Sequence, residues 1–323
     1  MPNAIVVQQV GGPEQLRFQE IPDPAPGPGE ARVRQTAIGV NFIDVYFRTG
    51  LYKSPHLPFV PGQEAAGVVE AVGPGVTEVA VGDRVAYASL QGSYAEVRLA
   101  PAARLVKVPP AIDDRTAAAM MLKGMTAEYL LLRCARVERG DTILFHAAAG
   151  GVGSIACQWA KHLGLRVIGT AGGAEKAARA AALGCDHVID YDREDVVARV
   201  KELTGGAGVT AVFDGVGKRT FDASLACLAT RGMMVLFGAA SGPVPPVDPS
   251  ALARASLFLS RPALGHYIAA RDELVTSAAR LFEVAGSGAV KIDVGQSYAL
   301  RDAAAAHAAL ERRKTTGSTL LIP

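Results

Sequence analysis

Between residues 142 and 163 a strand, a glycine cluster and a helix follow one another without a break, and this run restricts the fold more than any other feature of the chain. Thr142–Ala147 is an apolar run with the character of a buried strand. Gly150, Gly151 and Gly153 follow it. Then Val152, Ile155, Ala156, Trp159, Ala160 and Leu163 recur at the spacing of one helical face, and Gly164 stops the helix. The same alternation continues downstream. Strand Arg166–Ala171 leads into the alanine-rich helix Glu175–Leu183, strand His187–Tyr191 into helix Glu194–Leu203, and strand Thr210–Phe213 into helix Thr220–Leu228. Strand Met233–Phe237 closes the series. Alternating strand and helix units predict an α/β unit with a Rossmann-type doubly wound parallel sheet, covered by helices on both faces.

In that context the segment His146-Ala-Ala-Ala-Gly-Gly-Val-Gly153 reads as a dinucleotide loop. Glycines permit the tight turn and the close approach of backbone to a pyrophosphate, and the helix N-terminus turns amide donors toward it. Ala148 stands where the first glycine of the fingerprint is expected, and a generic strand-to-helix turn is the competing reading. The candidate pyrophosphate contacts are Ala149, Gly150, Gly151, Val152 and Gly153. An NAD site usually carries an acid at the end of the second strand, to hold the ribose hydroxyls. Here that place reads Thr170-Ala-Gly-Gly-Ala174, with Lys176 on the next helix and Tyr191 ending the third strand. A cation in place of an acid suits a 2′-phosphate, which a carboxylate would repel. The expected coenzyme is therefore NADPH. Taken singly, a lysine such as Lys176 is more often a solvated surface residue, and a tyrosine such as Tyr191 a strand-end packing residue.

The first 120 or so residues have a different character. The short runs Ala4–Val10, Ala31–Ile38, Ala65–Val72, Arg84–Ala88 and Tyr94–Leu99 are punctuated by Gly and Pro, which predicts a compact, partly open barrel. The tail is mixed, with helices over Asp272–Val284 and Asp302–Lys314, a strand-like run at Val290–Val294 and an apolar strand at Thr319–Ile322. The expected division is 1–125, 126–262 and 263–323, with the last segment returning to the first domain. A net charge of +2 gives no broad reason to expect binding to nucleic acid or a membrane surface. Cys134, Cys157, Cys185 and Cys227 are scattered and form no CxxC pair, so they read as buried thiols of a cytoplasmic protein.

Taken together, these segments resemble the medium-chain dehydrogenase/reductase superfamily and, within it, the zinc-independent quinone oxidoreductases related to zeta-crystallin. The resemblance runs over essentially the whole chain. It is carried by Gly39-Val-Asn-Phe-Ile-Asp-Val-Tyr46, Pro61-Gly-Gln-Glu-Ala-Ala-Gly67, Val81-Gly-Asp-Arg-Val85 and Ala147-Ala-Ala-Gly-Gly-Val-Gly153. Further matches are His187-Val-Ile-Asp-Tyr191, Ser241-Gly-Pro-Val-Pro-Pro246 and Arg313-Lys-Thr-Thr-Gly-Ser318. It implies a GroES-like β-barrel catalytic domain, a Rossmann domain with NADPH in the cleft between them, and a homodimer joined through edge strands. It also implies coenzyme contacts at Asn41, Thr126, Gly172, Lys176, Tyr191, Phe237, Ser241 and Arg313. Individually, Thr126 and Phe237 read as packing residues, and Arg313 as a helix-end charge.

Zinc-dependent members of the superfamily place a cysteine near the position of Asn41 and a histidine within a Gly-His-Glu motif. This chain has Asn41 and Gly62-Gln63-Glu64 instead, and its six histidines (His56, His146, His162, His187, His266 and His307) show no ligand spacing. A catalytic zinc needs about three protein ligands, so none is expected. Without a Lewis acid, a quinone or a conjugated enone is a better acceptor than an alcohol is a donor, because conjugation absorbs the charge that hydride addition creates. The expected reaction is NADPH-dependent reduction of a quinone, with reduction of α,β-unsaturated aldehydes or ketones as the alternative. A non-enzymatic crystallin-like or RNA-binding role is the reading from a different class, and the balanced charge gives it no support. The candidate catalytic residues are Asn41, Asp44, Tyr46 and Tyr52. The tyrosines would offer donors to the developing oxyanion, while Asn41 holds coenzyme or acceptor and Asp44 orients the group. The plainer alternatives are helix capping for Asn41 and Asp44 and wall packing for the tyrosines. Glu64 and Gln63 are read as satisfying buried backbone groups, and Lys123 as either facing a cleft or solvated.

Overall fold

Asn3–Val7 (β1) carries four buried apolar residues in succession and pairs antiparallel with Leu16–Glu20 (β2), of which only Leu16 is buried. The long strand Glu30–Val40 (β3) organises the rest of the first sheet. Its inward residues Ala31, Val33, Ile38 and Val40 are buried, and it pairs antiparallel with Glu64–Val72 (β4). Between them runs the helix Phe42–Thr49 (α1). Arg84–Ala88 (β5) pairs with β4, Val97–Pro101 (β6) with the first half of β3, and Val106–Lys107 (β7) with β5.

The helix Asp114–Tyr129 (α2) has no counterpart in the sequence reading. Ala117–Met121 are five consecutive wholly buried residues, and Met125 is wholly buried too, so burial from Ala117 onward is not confined to one face. A helix of that kind shows no stripe of one-sided apolar spacing.

The computed structural model describes all 323 residues and divides them into two units, the break falling inside α2. Unit 1 is Met1–Met125, Ile268–Gly286 and Ile292–Pro323, and unit 2 is Thr126–Tyr267 with Ser287–Lys291. Unit 2 thus reaches Tyr267 rather than residue 262, and the short stretch 287–291 clusters with it.

Unit 2 is built on six parallel strands: Thr142–Phe145 (β8), Arg166–Ala171 (β9), His187–Asp190 (β10), Val209–Asp214 (β11), Leu228–Leu236 (β12) and Phe258–Ser260 (β13). Their spatial order is β10-β9-β8-β11-β12-β13, the doubly wound order with its reversal at β8. Helices Gly151–His162 (α3), Ala174–Ala182 (α4), Val196–Leu203 (α5) and Phe221–Cys227 (α6) connect them, with the short helices Ser250–Ala253 (α7) and Leu264–Tyr267 (α8) further on. Leu144, Ile168, Ile189, Val212 and Met234 from five adjacent strands meet Val200 and Leu225 in the core.

The chain then completes unit 1. Arg271–Gly286 (α9) precedes Val294–Ala299 (β14), Ala303–Glu311 (α10) and Ser318–Ile322 (β15). β15 lies between β14, to which it is parallel, and β3, to which it is antiparallel, so the sheet reads β14-β15-β3-β4-β5-β7. The expected strand at Val290–Val294 is displaced, since only Val294 belongs to β14. Gln296, Ser297 and Tyr298 make up most of it, and these half-polar residues give little strand signal. The unit 1 core joins Ile5, Val33, Val69, Val85 and Leu105 to Leu300, Ala303, Ala306 and Leu321 of the returning segment.

Candidate active site

In unit 1 the sequence candidates gather at the start of α1. Asn41 is extended (φ −136°, ψ 156°) and caps the helix. Its carbonyl accepts from Asp44 N–H at 3.0 Å, and its own N–H donates to Asp44 Oδ2 at 2.8 Å. That is the returning half of a capping box, so the plainer reading of this pair is present. It does not account for both side chains. The Asn41 side-chain amide donates to Glu64 Oε1 at 2.7 Å. The same oxygen receives Lys123 Nζ, and Oε2 accepts from Leu122 N–H. Glu64 is fully buried and Lys123 is 4% exposed. Lys123 is therefore not solvated. It is the counter-ion of Glu64, and the pair fixes the Asn41 amide in one orientation.

A second buried chain of contacts starts at Asp44. Tyr94 donates its hydroxyl to Asp44 Oδ2 at 3.0 Å, and His307 Nε2 lies 2.9 Å from the Tyr94 oxygen. Asp44 Oδ1 and His307 Nδ1 are buried without a hydrogen-bond partner. Burial pushes the Asp44 carboxyl up to about 7, against the Asn41 N–H and the Tyr94 hydroxyl, with Glu64 adding to the rise and Lys123 opposing it. Burial, reinforced by nearby Arg48, holds His307 down to about 3. The Tyr94 hydroxyl is also pushed upward, by burial first and the Asp44 charge second. Tyr94 and His307 stand 50 and 213 residues from their partners. Their only sequence signals are a tyrosine opening a strand and a lone histidine in an alanine-rich helix.

Tyr46 and Tyr52 meet edge to face at 5.1 Å, and Phe42 and Phe47 extend the cluster. Tyr46 is mostly buried and Tyr52 half-buried, so ring packing is part of what both do.

In unit 2 the second group of candidates lies at the ends of β8, β9 and β10. Ala147 takes a left-handed backbone (φ 54°) and its carbonyl accepts from Gly150 N–H at 2.9 Å, which forms the first turn of the loop. A Cβ on Gly153 would lie 2.4 Å from the Ala147 carbonyl oxygen and 2.7 Å from that of Ala148, so helix and loop approach more closely than any side chain permits. α3 begins at Gly151 and directs its first amides past this loop. Gly172 follows β9, and a Cβ there would lie 2.6 Å from the Tyr191 hydroxyl. Lys176 stands half-buried in the first turn of α4. Asp190 spends Oδ1 on Gly173 N–H (2.9 Å) and Asp192 N–H (3.2 Å), leaving the end of β9 without a carboxylate of its own.

Of the remaining candidates, Phe237 follows β12 with its ring 5.8 Å from that of Phe145. Ser241 has its hydroxyl engaged locally, donating to Val216 O and accepting from Arg219 N–H. Thr126 lies half-buried in α2 at the start of unit 2. Arg313 belongs to unit 1, exposed and left-handed (φ 56°) just after α10. Cys134 is half-buried, whereas the other three cysteines are buried as expected. No helix is long and apolar enough to cross a membrane.

Residues 27–110 match the alcohol dehydrogenase GroES-like domain, and residues 151–282 match the zinc-binding dehydrogenase domain. A quinone oxidoreductase of Pseudomonas aeruginosa is 50% identical over 315 residues, covering 97% of each chain. The chain belongs to the quinone oxidoreductase family. The crystal structure of Escherichia coli quinone oxidoreductase complexed with NADPH superposes with a TM-score of 0.98 at 47% identity, covering 99% of this chain and all of that one. A 2-haloacrylate reductase from a Burkholderia species is 46% identical over 99% of this chain and 98% of its own length. Zinc-binding dehydrogenases hold a metal, but the residues here do not fit one. Asn41 and Gln63 are amides, the Glu64 oxygens are occupied by three donors, and no three His, Cys, Asp or Glu side chains gather where they could hold a metal.

Proposed function

We infer that the protein is an NADPH-dependent quinone reductase that works without zinc. The observation that carries the coenzyme assignment is the end of β9. There a Cβ on Gly172 would meet the Tyr191 hydroxyl, Lys176 stands in the first turn of the following helix, and Asp190, at the end of β10, is committed to backbone amides. A 2′-phosphate fits such a place and a ribose diol without its acid does not. The cradle at Gly150 and Gly153, where no side chain would fit unchanged, suits a pyrophosphate.

NADPH, when bound, supplies hydride. The Glu64–Lys123 pair holds the Asn41 amide for coenzyme or acceptor, and the Tyr46 and Tyr52 hydroxyls offer donors to the oxygen that gains charge. Asp44 orients the start of α1 by accepting from the Asn41 backbone N–H. Thr126, Phe237, Ser241 and Arg313 are assigned further coenzyme contacts. In this reading residues 1–125 with the returning segments 268–286 and 292–323 form the catalytic domain of a cytoplasmic homodimer. The exposed Phe258 on edge strand β13 is a candidate dimer contact.

The 2-haloacrylate reductase favours a second reading, reduction of an electron-poor alkene, because its named substrate is a conjugated acid. The test is NADPH oxidation measured across quinones, enals and alcohols, with metal analysis of the same sample. Quinone turnover that survives a chelator is expected. Turnover of alcohols alone, or stoichiometric zinc needed for activity, would overturn the assignment.

A further inference from the structure

Beneath the glycine loop lies a buried network that the proposed reaction does not use. Asp214, at the end of β11, is fully buried and meets four donors. Val216 N–H (2.8 Å) and Gly217 N–H (3.0 Å) go to Oδ1, and the hydroxyls of Thr220 (2.7 Å) and Ser224 (2.8 Å) go to Oδ2. Ser224 has one hydrogen and gives it to Asp214, so toward His146 Nε2, 3.0 Å away, it can only accept. His146 therefore carries its proton on Nε2, and its bare Nδ1 accepts from the Thr170 hydroxyl at 3.0 Å. With that hydrogen committed, the Thr170 oxygen is turned to the N–H of Ala147, 3.4 Å away.

Every hydrogen in the chain points the same way, from the amide that opens the loop to the carboxylate under the sheet. Burial holds the His146 imidazole below its ordinary range, with Asp214 pulling the other way, which keeps the ring neutral as this pattern requires. A hydrolytic triad needs the opposite sense, a serine donating to the imidazole, and Ser224 is wholly buried.

The residue at the end of this chain is Ala147, a non-glycine in left-handed backbone. Such a conformation costs energy and persists only where its surroundings over-determine it. We propose that Thr170, His146, Ser224 and Asp214 are positioning residues for the coenzyme, locking Ala147 in its turn and so setting how tightly the Ala149–Gly153 loop holds the dinucleotide pyrophosphate. The proposal rests on the reading of that loop as the pyrophosphate cradle.

The decisive pair is Thr170→Val, which keeps the shape and removes the hydroxyl, and Thr170→Ser, which keeps the hydroxyl. Dissociation constants for NADPH and NADH are read from nucleotide fluorescence or from Trp159, the single tryptophan, buried on α3. Thr170→Val should weaken both nucleotides by the same factor, about tenfold, because the lock acts on the pyrophosphate they share. KM for NADPH should rise with it while kcat at saturating coenzyme stays within about twofold, and Thr170→Ser should restore binding. Ser224→Ala, at the far end, should shift binding in the same direction by less, and it serves as the test should Thr170→Val fail to fold.

Wild-type affinity in folded Thr170→Val or in Ser224→Ala would overturn the proposal. So would a loss in Thr170→Ser equal to that in Thr170→Val, or a loss confined to kcat. A wild-type protein that binds neither nucleotide would instead overturn the cradle reading itself, and this lock with it.

Discussion

A single Cβ at position 172 would lie 2.6 Å from the Tyr191 hydroxyl, so coenzyme preference cannot be changed at one of these residues without disturbing the other. Gly172→Asp alone should weaken NADPH without gaining NADH. Combined with Tyr191→Ser it should prefer NADH, because the carboxylate then has room to reach the ribose hydroxyls. Lys176→Ala should weaken NADPH about ten- to a hundredfold and leave NADH nearly unchanged. Dissociation constants for both coenzymes check all three variants, and equal weakening of both by Lys176→Ala would move the phosphate pocket elsewhere. Asp44 makes a prediction of a different kind. Unfolded, its carboxyl titrates near 3.8, and folded near 7. Across that window the folded chain keeps a proton that the unfolded chain has lost, so stability falls as pH rises and levels off above it. Asp44→Asn leaves an acceptor for Asn41 N–H and Tyr94 while removing the charge. Relative to wild type it should gain roughly 2 to 3 kcal/mol between about pH 5 and 8. His307, whose contribution falls away below about 6.5, is common to both proteins and cancels. Paired thermal melts at the two pH values would show it, and a constant offset would count against the raised pKa. The places of Asn41 and Asp44 at the start of a helix, and of the glycines between a strand and a helix, could be read from the sequence because they sit in contiguous motifs. Tyr94, His307 and the engagement of Lys123 with Glu64 could not, because only the folded sheet brings such distant positions together.

At the scale of elements, the join of β8 to α3 depends on which glycine is altered. Gly153→Ala puts a methyl group within 2.4 Å and 2.7 Å of two carbonyl oxygens, while Gly150→Ala meets only the Ala147 oxygen, at 3.0 Å and with an extended backbone. The first substitution should cost about 1 to 3 kcal/mol and most coenzyme affinity, and the second clearly less. Melting temperature and NADPH binding for the two variants test the order. The same contrast explains which elements the sequence disclosed. β8, β9 and the helices after them alternate between a strand buried on both faces and a helix buried on one, and each pattern has its own period. α2 is buried on more than one face from Ala117 onward and β14 is half-polar, so neither carries a period to detect. The bounds of α5 and α6 fell within two residues of those expected, whereas β12 starts at Leu228, ahead of Met233, because it passes through left-handed Arg231 before its apolar run.

For the whole molecule, unit 1 depends on its last strand. Leu320 and Leu321 are fully buried in β15, and the Ser318 hydroxyl donates to the Ala119 carbonyl at 2.8 Å. Leu321→Ala should cost about 2 to 5 kcal/mol, and the loss should fall on unit 1. The only tryptophan lies in unit 2, so the circular-dichroism transition should drop further than the Trp159 fluorescence transition. Identical shifts in both signals would mean that the two units melt as one. The placement of β15 also has a consequence in time. On the ribosome, residues 1–125 emerge with the Ile38–Val40 end of β3 unpaired on one side, because β6 covers only its first half, and the partner of that end follows only after the intervening unit has been made. At ~5 to 20 residues per second that wait is roughly 10 to 40 s. The later unit, nearly contiguous in the chain, can finish before the earlier one, so the order of completion inverts the order of synthesis. Until then the nascent chain exposes a strand edge to any other nascent chain nearby, which makes crowded polysomes the place where this protein is most at risk of pairing with the wrong partner.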